Sequence, residues 1–112
     1  SSDTSIPLFS LASTSSIVNN GNGNVEIIGV TTGKMNVEVL GVKLFLQRWT
    51  GSEWITIYSS PDYVDNNTRT IWVADSRQIN TGFYYRVITL HWAQHGNVIE
   101  DGEMVGDSIL IN

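Results

Sequence analysis

The sequence predicts an all-β fold, a seven- to eight-stranded antiparallel sandwich, and three observations carry that expectation. From Thr14 onward, short runs of β-branched and aromatic residues are broken by turn residues about every eight to twelve positions, the spacing of a sandwich or barrel. The aromatic set of 4 Trp, 4 Tyr and 3 Phe, beside a charged share of only 15%, suits strands. No window of about ten residues or more sustains helical periodicity. At 112 residues the chain is long enough for one core and too short for two, and it shows no internal repeat.

Residues 1–13, rich in Ser and carrying Pro7, read as an N-terminal arm, and residues 14–112 as a single β-sandwich domain. The first strand is expected over residues 14–18. Asn19-Asn20-Gly21-Asn22-Gly23-Asn24 ends it, with two Asn-Gly pairs supplying the positive φ angles of a tight hairpin. The second strand covers residues 25–32, with Val25 and Ile27 on one side, Glu26 and Ile28 on the other, and Gly33-Lys34 closing it.

A third run, residues 39–49, meets residues 54–58 across Thr50-Gly51-Ser52-Glu53. A four-residue loop pairs Trp49 with Trp54, Gln47 with Thr56 and Phe45 with Tyr58, and alternation puts those six on one face. Val42, Leu44, Leu46, Ile55 and Ile57 take the other, the better core face. Residues 59–67, with Pro61, Asp62, Asp65 and Asn66, read as a turn region, followed by a strand over 68–74 with Ile71 and Val73 inward. A loop over 75–81 leads to Gly82, a long strand over 83–94, a turn at His95-Gly96-Asn97, and short strands over 98–100 and 108–111. The expected core is Val25, Ile27, Val42, Leu44, Leu46, Ile55, Ile57, Ile71, Val73, Tyr85 and Val87.

Thr81-Gly82-Phe83-Tyr84-Tyr85-Arg86-Val87 resembles the penultimate strand of fibronectin type III and immunoglobulin-like domains. In those domains a tyrosine ties the strand start to a nearby loop, a role open here to Tyr84 or Tyr85. Four further blocks are Thr14-Ser15-Ser16-Ile17, Gly21-Asn22-Gly23-Asn24-Val25, Leu44-Phe45-Leu46-Gln47-Arg48-Trp49, and Tyr84-Tyr85-Arg86-Val87 with His91 downstream. In that order they resemble a family of small exported proteins of unknown function from Gram-positive bacteria. The resemblance implies secretion and a β-rich fold and lends no activity or site residues; the chain departs from it at Ile88 and Leu90, where more polar or smaller residues are common.

The net charge is −5, with Asp3 and Glu26 unopposed before Lys34 and Glu100, Asp101, Glu103 and Asp107 unopposed after Arg86. Six Lys and Arg make no basic stripe, so nucleic acid and anionic lipid are not expected as partners. No apolar run approaches the roughly 20 residues that span a bilayer as a helix, and membrane insertion is not expected. The absence of cysteine excludes disulfides, a zinc knuckle and a thiol nucleophile. A first residue of Ser1 in place of Met fits a mature exported chain, so the expected location is secreted or cell-surface.

The catalytic motifs are weak. His91 and His95 have the i, i+4 spacing of zinc-binding helices, but on a strand that spacing is about 13 Å, too far for one ion. A partly buried His91 and a turn-lip His95 are the structural expectation. No serine sits in Gly-x-Ser-x-Gly or Ser-x-x-Lys. Glu100-Asp101-Gly102-Glu103 with Asp107, or Asp62, Asp65, Asn66 and Asn67, offer oxygen ligands for Ca²⁺ without the spacing of a calcium loop, and solvated loops are favoured. No metal and no cofactor is expected.

The aromatic residues are more informative. If Phe45, Trp49, Trp54 and Tyr58 face outward and Tyr84 and Trp92 project from the neighbouring strand, the sheet carries an aromatic strip able to stack on sugar rings or anchor a protein. Cross-strand pairing that only stabilises the sheet is the structural alternative. The expected function is a non-catalytic extracellular interaction domain binding protein, glycan or itself. A structural module of an envelope assembly, or a small hydrolase built on loop carboxylates or His91, are the alternatives.

Overall fold

Two long strands set the shape. In the computed structural model, which describes residues 9–112, seven antiparallel strands form one curled sheet, a half-barrel: β1 (Ala12–Gly21), β2 (Asn24–Trp49), β3 (Trp54–Ser59), β4 (Tyr63–Gln78), β5 (Phe83–His95), β6 (Val98–Val105) and β7 (Ile109–Ile111). β2 is the hub, pairing with β1, β3, β4 and β5, while β6 and β7 extend the far edge of β5. The all-β, antiparallel architecture is as the sequence predicts.

The curl comes from one irregularity. Along the β2–β4 ladder Thr32 faces Thr70, yet the next recorded pair is Val37 with Thr68, so β2 carries extra residues that bend it away from its partner. Residues 24–32 of β2, with β1 and the second half of β4, make one limb; residues 37–49, with β3, β5 and the start of β4, make the other. The limbs face each other as sandwich layers do, over a core that includes Val25, Ile27 and Ile71 from the first and Leu40, Val42, Leu44, Leu46, Tyr85 and Val87 from the second.

The two expected strands 25–32 and 39–49 are therefore one. Gly33-Lys34 does not close the strand; the Lys34 N–H donates to the Phe9 carbonyl at 2.9 Å, and pairing with β4 resumes at Val37. The expected turn region 59–67 narrows, because β4 starts at Tyr63 and Val64, Asp65 and Asn66 pair with Gly41, Leu40 and Val39. β4 also runs on to Gln78, and β6 continues past residue 100 to Val105. The end of the expected arm is structural: Phe9 is 2% exposed and its N–H donates to Glu100 Oε1 at 2.7 Å. Residues 1–8 of that arm lie outside the described residues.

Asn22 (φ 57°) and Gly23 (φ 77°) form the β1–β2 turn with the two positive φ angles of a type I′ hairpin. Tyr85, not Tyr84, fills the corner role: it is fully buried and its hydroxyl donates to the Asn80 carbonyl five residues upstream. Of the expected core, Ile57 is 38% exposed, Ile55 is half-buried, and Val73 is half-buried against the core. Phe9, Val37, Leu40, Ala93 and Ile111 join it.

Candidate functional site

The outer face of the second limb carries the aromatic residues. Alternation along β2 turns Leu44 and Leu46 into the core and Lys43, Phe45, Gln47 and Trp49 outward; the β5 ladder then sets Arg86 opposite Gln47, Ile88 opposite Phe45 and Trp92 opposite Gly41. Trp54 pairs with Trp49 across the hairpin, as the four-residue loop requires. Their rings lie 5.3 Å apart at 54°, and both are half-buried. Tyr84 is 48% exposed. Trp49, Trp54, Tyr84 and Ser108 surround an open hollow of about 280 Å³.

The rings are held in place. The Arg86 guanidinium lies 4.4 Å from the centroid of Trp54 while its Nε donates to Gln47 Oε1 at 2.8 Å, and Gln47 Nε2 donates to Thr56 Oγ1 at 3.2 Å. Lys43 Nζ stands 5.5 Å from the Phe45 ring. Trp92 lies flat on Gly41, where a built Cβ would come within 2.1 Å of the indole, so the missing side chain makes room for the ring.

Five of the six expected strip residues, Phe45, Trp49, Trp54, Tyr84 and Trp92, share this face, and Tyr58 does not. A bulge between Leu46 and Gln47 pairs Phe45 with Ser59 and Leu46 with Tyr58. That one-residue slip turns Tyr58 toward the core and Ile57 to solvent. Tyr58 and Tyr63 instead donate to the two oxygens of Asp75, at 3.0 and 2.5 Å, and Arg77 lies over the Tyr58 ring at 4.0 Å. The hydrogen bond to Asp75 pushes the Tyr63 phenol up to about 12, since ionising it would set two negative charges side by side. The cluster joins the limbs through Asp75, a contact no local spacing reveals.

His91 is in the interior, 7% exposed. Ser13 Oγ lies 2.6 Å from its Nδ1 and 2.7 Å from Thr31 Oγ1, and Ser15 Oγ donates to Thr89 Oγ1 at 2.6 Å. This hydroxyl seam joins β1 to β5 through the core. Ser13 supplies a hydroxyl beside an imidazole, but among the described residues no carboxylate pairs with His91, and Ser13 is only 6% exposed. Burial holds His91 below its ordinary value of 6.5, against the opposite pull of Asp101 and Glu100. Below about pH 6.5 the unfolded chain therefore binds a proton that the folded chain resists, and stability falls as the pH drops. Urea unfolding at about pH 7.5 and about 5.5 should show the loss, and His91→Gln should flatten it; an equal slope in that variant would place the titration elsewhere.

Among the described residues no three of His, Asp and Glu gather as metal ligands. Glu100 caps the Phe9 N–H, and Asn66 Nδ2 donates to the Glu38 carbonyl at 3.1 Å. Trp72, absent from the expected strip, is the most exposed tryptophan at 61% and projects from the opposite limb, its neighbour Ile71 being inward. Arg86 and Lys43 also escaped the sequence reading as site residues, although the alternation that groups Phe45 with Trp49 puts them on the same face.

Fold and face together define an all-β domain with an outward-facing, largely half-buried aromatic and cationic surface and an enclosed polar seam. No family model, no curated protein and no solved structure matches the chain.

Proposed function

We propose that this chain is a non-catalytic extracellular binding domain that recognises glycans by stacking sugar rings on the Trp49–Trp54 face. The hollow of about 280 Å³, where two half-buried indoles, the Tyr84 phenol and the Ser108 hydroxyl converge, carries the proposal. The flat C–H face of a sugar matches an indole, and a nearby hydroxyl fixes its orientation. Trp54, flanked by Trp49 and Arg86, is already ordered, so little conformational freedom remains to be lost on binding. The resemblance to exported proteins supports an extracellular setting.

Intrinsic tryptophan fluorescence, titrated with soluble glycans and cell-wall fragments, tests this. A saturable shift is expected, with Trp54→Ala weakening binding about tenfold or more while keeping the native circular dichroism spectrum. No shift with any glycan, or an undiminished one in folded Trp54→Ala, would refute glycan recognition here; capture of a protein ligand by the same face would replace it.

A further inference from the structure

The cations of this protein sit on rings and not on carboxylates. Four of the six Lys and Arg side chains lie over aromatic rings: Lys43 on Phe45, Arg48 on Phe83, Arg77 on Tyr58 and Arg86 on Trp54. Among the described residues none of the six lies within 4.0 Å of a carboxylate oxygen, the one acid–base contact being His95 with Glu38. The chain carries 11 Asp and Glu, so this separation is not for want of acids. A ring holds a guanidinium by its flat side and leaves the edge donors free.

Arg86 is the most telling. Its Nε is committed to Gln47, and its terminal amino groups have no hydrogen-bond partner among the described residues. It lies against Trp54, one of the rings lining the hollow. Lys43 shares the same outer face four residues along β2 from Gln47, about 13 Å away in a strand and farther than one sugar ring reaches. Arg48, beside Trp49 in sequence but on the opposite side of β2, has a buried Nε without an acceptor. Asp101 and Glu103 are on β6 across from Trp92 and Leu90, at the other side of β5 from β2, while two exposed acids, Glu53 and Asp107, neighbour Trp54 and Ser108 in the chain without pairing with any of the cations. A molecule with a net charge of −5 thus sets two cations without carboxylate partners, Arg86 and Lys43, among the aromatic rings of this face.

We propose that the hollow takes an acidic glycan, a chain of carboxylate-bearing sugars, with one ring stacked at Trp49 and Trp54, its carboxylate on the free amino groups of Arg86, and a later unit reaching Lys43. This rests on the glycan-binding proposal above and narrows it: a neutral glycan leaves Arg86 unanswered, whereas a uronic acid answers ring and cation together.

The test compares an oligogalacturonate with the same oligomer after its carboxyl groups have been reduced to alcohols, followed by tryptophan fluorescence. The acidic form is expected to bind about tenfold or more tightly, the order of one or two charge-assisted hydrogen bonds, and to weaken as salt is raised. Arg86→Gln also removes the guanidinium from Trp54, so its readout is the ratio of the two affinities. The acidic form should weaken more than the reduced one, and the ratio should fall toward one. Should Arg86→Gln not fold, Lys43→Gln and the salt dependence of the unaltered protein carry the same comparison, with severalfold weakening of the acidic form alone. Equal affinity for the two forms would overturn the acidic preference and leave glycan binding standing. Competition by poly-glutamate as effective as the oligosaccharide would overturn it in favour of an acidic protein partner. Binding of neither form would remove this proposal, and silence across the whole glycan panel the broader one as well.

Discussion

Leu44→Ala should lower the unfolding free energy by about 3–4 kcal/mol, a large part of the roughly 5–15 kcal/mol of a domain this size. Leu44 is fully buried at the meeting of the two limbs. A Cβ built on Gly29 of the first limb would approach Leu44 Cδ2 to 2.5 Å, so the leucine presses directly on a backbone that has no side chain there. Its own backbone is fixed as well: the Leu44 N–H donates to Ser60 Oγ and its carbonyl accepts the Ser60 N–H, each at 2.8 Å. With the main chain held on both sides, the cavity left by truncation cannot collapse, which puts the cost toward the upper part of the usual range. Urea denaturation with an unchanged m-value would measure it. A loss under about 1 kcal/mol would mean that the limbs do not close on each other at this point.

Gly23→Ala should cost about 2 kcal/mol or more, and Gly51→Ala only about 1 kcal/mol, although both glycines have positive φ. A Cβ on Gly51 meets nothing within 4 Å, so its cost is the left-handed backbone alone. A Cβ on Gly23 would stand 2.6 Å from the Ile79 carbonyl oxygen, a backbone atom that cannot rotate aside. The Ile79 N–H also donates to the Gly23 carbonyl at 2.8 Å, so the β1–β2 turn and the β4–β5 connection are docked on one another. Thermal unfolding of the two variants isolates that docking, and equal losses would deny it.

The sequence reveals what local chemistry controls. The Asn-Gly turn, the Trp49–Trp54 pair and the inward rows through Leu44 and Leu46 follow from loop length, φ requirements and period-two alternation, while the tyrosine at the start of β5 follows from the resemblance to immunoglobulin-like strands, which leaves Tyr84 and Tyr85 both open. It conceals what depends on a partner strand. The bulge beside Gln47 leaves no composition mark, yet it exchanges Tyr58 for Ile57 and removes one ring from the expected strip. Gly33-Lys34 looks like a strand end and is a bend, because β4 spans the interruption. Phe9, a single aromatic among serines, gives no periodic signal, and only the folded chain sets it against Lys34, Glu100 and His95. For the candidate site, five aromatic positions were legible, while the cations on the rings were not, since these contacts depend on side-chain rotamers and, for Arg86 on Trp54, on residues of two different strands.

The most direct test of the aromatic face as the binding surface is a ¹H–¹⁵N titration that follows the indole N–H signals of the 4 tryptophans as an acidic oligosaccharide is added. Trp72, 61% exposed on the opposite limb, serves as the internal reference. Binding at the proposed face moves the Trp49 and Trp54 signals saturably and leaves Trp72 in place. Movement of Trp72 with Trp49 and Trp54 unchanged, or no movement of any indole, would contradict it.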